Sequence, residues 1–181
     1  AMLSTLIAES AAWHGPTLTA DRYLMPIPGA VLGELDGALA ELRRAPVPTL
    51  LLAPEHFPLA ATARWMREVR HRLDDAPGFV MLDRLPVDTM SRDEAIALYW
   101  LLMAFLEPPV AQEWKGTVIY DVRHDGQEYT QDTRAALTPE GLEMHTDSSM
   151  GEAPPNYVSL FCLRPARTGG MSIVSSAAAA H

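Results

Sequence analysis

The 181-residue sequence has one cysteine, an excess of acidic over basic residues, and no long apolar run. Cys162 alone cannot form an intramolecular disulfide, so the fold does not rely on an oxidising compartment, and we expect a cytoplasmic protein. The 23 acidic and 14 basic residues give a net charge of −9, which disfavours nucleic acid as a partner because phosphates are repelled. No uncharged stretch approaches the roughly 20 apolar residues that cross a bilayer, so no membrane partner is expected.

The composition is that of a globular protein, with 48% hydrophobic and 20% charged residues. A chain of this length can form one domain with a substantial core, and we predict a single domain over residues 1–181. The first two residues, Ala1 and Met2, are typical of a scar left by cleavage of a tag. They are not followed by the basic region of a secretory signal, so export is not expected.

Helical periodicity and capping signals dominate the first part of the chain. Leucines at helical spacing predict an amphipathic helix over 30–44, and apolar residues at the same spacing predict another over 59–73. Between them, four prolines leave room for at most a short strand at 49–52. The segment 77–86, PGFVMLDRLP, predicts a strand after a Pro-Gly turn, and SRDE at 91–94 has capping-box spacing before a buried helix.

Short extended segments dominate the second part of the chain. Residues 117–129 have β-branched content and run into an Asp-Gly turn, and three further extended runs are predicted around 143–147, 156–165 and 170–176. Helices first and short strands later, without alternation of the two, predict an α+β fold with a mainly antiparallel sheet.

A histidine and an aspartate two residues apart, His145 and Asp147, lie in the motif HTD. In a strand, side chains at this spacing project from the same face. One imidazole and one carboxylate are two of the three ligands in the facial triad that suits non-haem Fe(II), which leaves positions open for a cosubstrate and oxygen. The alternative is a surface His–Asp pair that binds no metal.

The sequence around HTD resembles a known enzyme family. HTD is followed by APPNYVSLFCLRPA and TGGMS, and preceded by PGFVMLDRLPVD and PPVAQEWKG. In this order and at this spacing, the segments resemble the Fe(II)- and 2-oxoglutarate-dependent dioxygenases of the taurine dioxygenase and clavaminate synthase-like superfamily. Pro108 stands where that superfamily usually has a glycine.

The resemblance implies a double-stranded β-helix, or jelly roll, with flanking N-terminal helices, and it implies Fe(II), 2-oxoglutarate and O2 as cofactors. His145 and Asp147 would be iron ligands. Ser172, after the double glycine, would donate a hydrogen bond to the distal carboxylate of 2-oxoglutarate, although it could also be a plain strand-end serine. Gln112 and Arg134 would line the site, with ordinary surface residues as the alternative.

The resemblance also implies ligands that this sequence does not contain. The second iron-binding histidine and the arginine that pairs with 2-oxoglutarate lie well beyond the double glycine in the family. The only histidine after Asp147 is His181, which we do not expect to be a ligand because a metal ligand must be held on both sides. We therefore expect the chain to be the N-terminal portion of a longer enzyme, a jelly roll truncated at its C-terminus.

The expected function is oxidation of a small molecule, by hydroxylation or a related reaction, and the sequence does not indicate which molecule. A homo-oligomer is compatible with the composition. The alternative function is a jelly-roll binding module or a pseudoenzyme whose metal site is incomplete.

Overall fold

The computed structural model describes residues 11–112, 115–122, 143–147 and 154–180. The chain divides into two compact units, the first comprising residues 1–107 and 161–181, and the second comprising residues 108–160. All regular helices and strands of the described residues lie in the first unit. They are α1 (Ala20–Tyr23), β1 (Leu24–Pro26), α2 (Gly29–Arg44), α3 (Ala60–Asp74), β2 (Met81–Asp83), α4 (Arg92–Ala104) and α5 (Ala177–Ala180), with 3-10 turns at Gly15–Thr17, Thr49–Leu51, Pro54–His56 and Val87–Thr89.

Helices α2 and α3 form one side of the core and confirm the helices predicted from leucine and apolar spacing. Their bounds agree with the predicted 30–44 and 59–73 to within one residue. Each helix buries residues three or four positions apart, as an amphipathic helix packed on one face must. The buried residues of α2 are Val31, Leu35, Ala38 and Leu39, and those of α3 are Thr62, Trp65, Met66 and Val69.

Helix α4 confirms the predicted capping box and the predicted buried helix. The Glu94 backbone N–H donates to Ser91 Oγ at 3.3 Å, and the Ser91 N–H donates to Glu94 Oε2 at 2.7 Å. Arg43 Nε of α2 also donates to Glu94 Oε1 at 2.6 Å, and this hydrogen bond is the main reason that the pKa of Glu94 falls to about 2. Helix α4 buries Ala95, Ala97, Leu98, Leu101 and Leu102.

The N-terminus of α3 is capped by a side chain from another helix. Leu59, at the N-cap position, has no side chain that can accept a hydrogen bond. Glu34 of α2 accepts from the Ala61 and Thr62 N–H groups at 2.7 and 2.8 Å, and from Thr62 Oγ at 2.8 Å. Two of the first-turn N–H groups that a helix cannot satisfy internally are thereby paired with a side chain of another helix.

The described sheet has two parallel strands, so the predicted antiparallel arrangement is wrong for it. Strand β1 pairs with β2 in the register Leu24↔Met81, Met25↔Leu82 and Pro26↔Asp83. The strand predicted within 77–86 is thus confirmed. Helices α2 and α3 connect the two strands and return the chain to the same end of the sheet, which makes the pair parallel.

The short strand considered at 49–52 is also wrong, because Thr49–Leu51 is a 3-10 turn. The Leu51 N–H donates to the Pro48 carbonyl at 2.9 Å, and the Leu52 N–H donates to the Thr49 carbonyl at 3.1 Å. These local bonds use the backbone groups that a strand would offer to a neighbour.

The strands predicted for the second part of the chain are not observed in the described residues 115–122, 143–147 and 154–176. Their apolar side chains are largely exposed there, as at Val122, Val158, Leu160 and Ile173. The described structure is therefore α+β with a two-stranded sheet, and it does not show the jelly roll. Among the described residues, no helix has the length and apolar content that crossing a membrane requires.

Candidate active site

The HTD motif brings its imidazole and carboxylate together. His145 Nε2 lies 3.1 Å from Asp147 Oδ1, and His145 Nδ1 lies 2.6 Å from the backbone carbonyl oxygen of Glu143. Both side chains are about half exposed, at 48% and 52%. The described residues 143–147 are not a strand, so local contacts, rather than alternation along a strand, direct the two side chains to one place.

The carbonyl of Glu143 determines which nitrogen of His145 is available to a ligand. A carbonyl can only accept a hydrogen bond, so Nδ1 carries the proton and Nε2 faces the carboxylate. A backbone carbonyl on Nδ1 is a common way of orienting a metal-binding histidine. The same carbonyl, together with Asp147, raises the pKa of His145, because both stabilise a positive charge on the ring.

The pair has donors that fit a divalent transition metal. Histidine nitrogen and carboxylate oxygen bind such metals at about 2.0–2.2 Å, so two neighbouring ligands at a right angle lie about 3 Å apart. The 3.1 Å between His145 Nε2 and Asp147 Oδ1 matches that separation. Within the described parts of the chain, no third histidine, cysteine or carboxylate completes a cluster with them. The motif thus offers two protein donors.

Gln112 uses its side chain to close its own loop. Its backbone N–H donates to the Thr117 carbonyl at 2.8 Å, and its Nε2 donates to the Val118 carbonyl at 3.1 Å. Gly116, inside this loop, has a φ of +83°. Gln112 lies in the second unit, as does the HTD motif, and its role in lining the site stays a prediction.

The double glycine before Ser172 has a left-handed backbone, which glycine adopts without the steric cost of a Cβ. Gly169 and Gly170 have φ values of +76° and +70°. A Cβ at Gly170 would also lie 3.2 Å from the Ala166 Cβ. Ser172 follows this turn in the first unit with an exposed side chain, and its contact with a cosubstrate stays a prediction.

Two residues named from the sequence, Arg134 and His181, lie outside the described residues. One group that the sequence did not indicate is the backbone carbonyl of Glu143, which orients the His145 imidazole. No sequence signal could reveal it, because every residue has a carbonyl and only the local backbone path brings this one to Nδ1.

The family model described as taurine catabolism dioxygenase TauD, TfdA family matches residues 42–181. The match spans most of the chain and includes all five residues predicted for the site, which are Gln112, Arg134, His145, Asp147 and Ser172. A search of the curated proteins finds no match.

Proposed function

Because the chain belongs to the TauD, TfdA family, whose members are generally dioxygenases, we propose that it is an Fe(II)- and 2-oxoglutarate-dependent oxygenase that oxidises a small molecule. His145 and Asp147 are its two iron ligands in this part of the sequence. Iron, 2-oxoglutarate and O2 together supply the oxidising chemistry when bound, and the protein supplies the binding and orientation. The chain is the N-terminal portion of a jelly roll in this proposal.

The observation that carries the proposal is the arrangement of the HTD side chains. His145 Nε2 and Asp147 Oδ1 are separated by 3.1 Å, and the Glu143 carbonyl holds the proton on Nδ1. A neutral imidazole with a free Nε2 and an ionised carboxylate are the protonation states that metal binding requires. The alternative, a surface ion pair, would carry a proton on both ring nitrogens, with Nε2 donating to Asp147, and iron titration distinguishes the two.

Other residues of the chain act on the organic ligands in this proposal. Ser172 donates a hydrogen bond to the distal carboxylate of 2-oxoglutarate, for which a hydroxyl is a compact donor without a charge of its own. Gln112 and Arg134 line the site. A bound small-molecule substrate is oxidised by hydroxylation or a related reaction.

The test is a comparison of two His–Asp pairs in the same protein. His71 of α3 and Asp75, the residue after its end, form an exposed pair at 2.7 Å, but their spacing is four residues and the pair is made through Nδ1. We expect His145→Ala and Asp147→Ala to weaken Fe(II) binding by at least about 100-fold, since even residues that only support ligands contribute 10- to 100-fold. His71→Ala is the matched control and should leave Fe(II) affinity unchanged. Anaerobic calorimetric titration of the full-length protein with Fe(II) measures the affinity of all three variants.

Native affinity for Fe(II) in His145→Ala or Asp147→Ala would refute the iron-ligand assignment. Oxygen consumption with 2-oxoglutarate then tests the chemistry across a panel of small-molecule substrates. Tight, His145-dependent Fe(II) binding without any 2-oxoglutarate turnover would favour the binding-module alternative over the oxygenase.

A further inference from the structure

The chain passes between its two units twice, and both passages are held by contacts within the first unit. It leaves the first unit after Glu107 and re-enters it at Phe161. The second unit is therefore an insertion with two attached ends, and it contains His145 and Asp147. Contacts that hold these two ends in place therefore influence how many conformations the inserted chain can adopt.

Arg70 of α3 binds the residues at which the chain leaves the first unit. Its Nη1 donates to the Leu106 carbonyl at 2.8 Å, and its Nη2 donates to Glu107 Oε1 at 3.0 Å. Leu106 is only 8% exposed, and its carbonyl lies just beyond α4, where helix carbonyls lack partners in the helix itself. The guanidinium fork supplies that partner and binds the next residue as well. Pro108 and Pro109 follow directly, and their fixed φ values carry the constraint into the inserted chain.

Tyr99 of α4 contacts the residue at which the chain re-enters the first unit. Its ring stacks on that of Phe161, with centroids 5.0 Å apart and an interplanar angle of 18°. Phe161 is the first residue of the returning segment. Tyr99 and Leu106 are seven residues apart, which corresponds to about 10 Å along a helix. Both ends of the insertion are thus held at separate points of one region, α4 and the residues that follow it.

We propose that Arg70 and Tyr99 are positioning residues that anchor the two ends of the inserted unit and thereby favour the iron-binding arrangement of its HTD motif. The effect on iron rests on the proposed function, whereas the anchoring itself does not. Releasing one end enlarges the set of conformations open to the insertion. The apparent dissociation constant for a ligand rises in inverse proportion to the fraction of molecules in the competent arrangement.

The first measurement is amide hydrogen exchange of the full-length protein, followed by mass spectrometry. Tyr99→Leu removes the ring but keeps an apolar side chain, and Arg70→Met removes the guanidinium but keeps the aliphatic stem. A stacked pair of this kind corresponds to roughly a two- to ten-fold change in an equilibrium. We expect exchange to accelerate by that factor in peptides covering 108–122 and 154–160, while peptides from α2 keep their native rates.

Two matched variants act as controls. Tyr99→Phe keeps the stack on Phe161 and should exchange more slowly than Tyr99→Leu. Arg43→Met removes the hydrogen bond that joins α2 to α4 through Glu94. That bond involves neither Leu106, Glu107 nor Phe161, so the variant should leave exchange in 108–122 and 154–160 unchanged.

The second measurement is Fe(II) affinity of the same variants by anaerobic titration. The dissociation constant should rise two- to ten-fold in Tyr99→Leu and Arg70→Met, rise less in Tyr99→Phe than in Tyr99→Leu, and stay native in Arg43→Met. Native exchange in both anchor variants would overturn the anchoring, and so would an equal acceleration in α2, which would indicate general destabilisation. Accelerated exchange with native Fe(II) affinity would overturn the positioning role, provided that His145→Ala abolishes binding. If His145→Ala binds iron normally, the proposed function fails, and exchange alone decides whether the anchors exist.

Discussion

Replacing Glu34 should destabilise the protein far more than its partly exposed position on α2 suggests. Its carboxylate is the acceptor for the Ala61 N–H, the Thr62 N–H and the Thr62 hydroxyl, which all begin α3. Thr62 is fully buried, with 0% exposure. Water therefore cannot replace the carboxylate as acceptor at Thr62, whereas it can reach the less buried Ala61.

The magnitude follows from these groups. A buried donor left without an acceptor costs about 1–3 kcal/mol, and loss of a helix cap costs about 0.5–2 kcal/mol. Because Glu34→Ala leaves two donors of Thr62 unpaired, we expect it to lower the free energy of unfolding by about 2–4 kcal/mol. Glu34→Gln keeps one acceptor oxygen but turns an NH2 group toward the remaining donors, so about half of that loss is expected.

The contribution of Glu34 should also depend on pH. Burial raises the pKa of Glu34, but hydrogen bonds from Ala61 and Thr62, with the charge of Arg64, outweigh it and leave the pKa below its ordinary value. A carboxylate with a lowered pKa stabilises the folded state fully above its unfolded pKa, about 4.3 for glutamate. That stabilisation is lost as the pH falls through the folded pKa. The difference in stability between native protein and Glu34→Gln should therefore be greatest near neutral pH and shrink below about pH 4.

Urea unfolding followed by far-UV circular dichroism measures the effect. With a slope of about 2 kcal/mol/M, a loss of about 2–4 kcal/mol lowers the midpoint by roughly 1–2 M. Glu41→Gln is the control, because Glu41 is an exposed carboxylate on the same helix and should change stability by less than about 0.5 kcal/mol. A Glu34→Ala midpoint as close to native as that of Glu41→Gln would refute the capping role.

Two further substitutions test the turn before Ser172 and the serine itself. Gly170→Ala should lower the free energy of unfolding by at least about 1–2 kcal/mol, because Gly170 has a φ of +70° and the added Cβ would meet Ala166 at 3.2 Å. Its control, Gly33→Ala on the exposed side of α2, should raise the free energy of unfolding by up to about 1 kcal/mol. Urea midpoints that move in the same direction in the two variants would contradict this. Ser172→Ala should raise the Michaelis constant for 2-oxoglutarate roughly ten-fold, since a hydrogen bond to a charged group contributes about 1.5–3 kcal/mol, and leave Fe(II) affinity native; an unchanged constant would remove Ser172 from the site.

The helices could be predicted closely because their signals are local. The leucine spacing of α2, the apolar spacing of α3 and the SRDE box before α4 each lie within about one helix length, and each appears in the structure at the predicted place. The cap of α3 could not be predicted. Glu34 is 27 residues from Ala61, and nothing in its neighbourhood distinguishes it from a solvated glutamate on the outer face of α2.

The sheet shows the same division between local and distant information. The strand after the Pro-Gly turn was predicted, but its partner Leu24–Pro26 lies more than fifty residues earlier, and its three residues are all apolar, so its sequence shows no alternation. Strand direction depends on the connection, and the helices between β1 and β2 make the pair parallel. The later apolar runs have strand-like composition, yet a strand also needs a neighbour to accept its backbone hydrogen bonds, and composition does not supply one.

The candidate site combines one locally encoded part with parts that depend on distant segments. All three groups of the proposed iron-binding arrangement, the Glu143 carbonyl, the His145 ring and the Asp147 carboxylate, lie within five consecutive residues. A spacing of two residues was therefore enough to predict that the side chains meet, although the reason given for it, alternation along a strand, does not apply to the described segment. Ser172 depends instead on the path of the returning chain after the turn at Gly169 and Gly170. Local hydrogen bonds bring the His145 and Asp147 side chains together without any metal, so in our proposal the distant contacts, including the anchors at the two ends of the inserted unit, determine how much of that preformed pair becomes a working site.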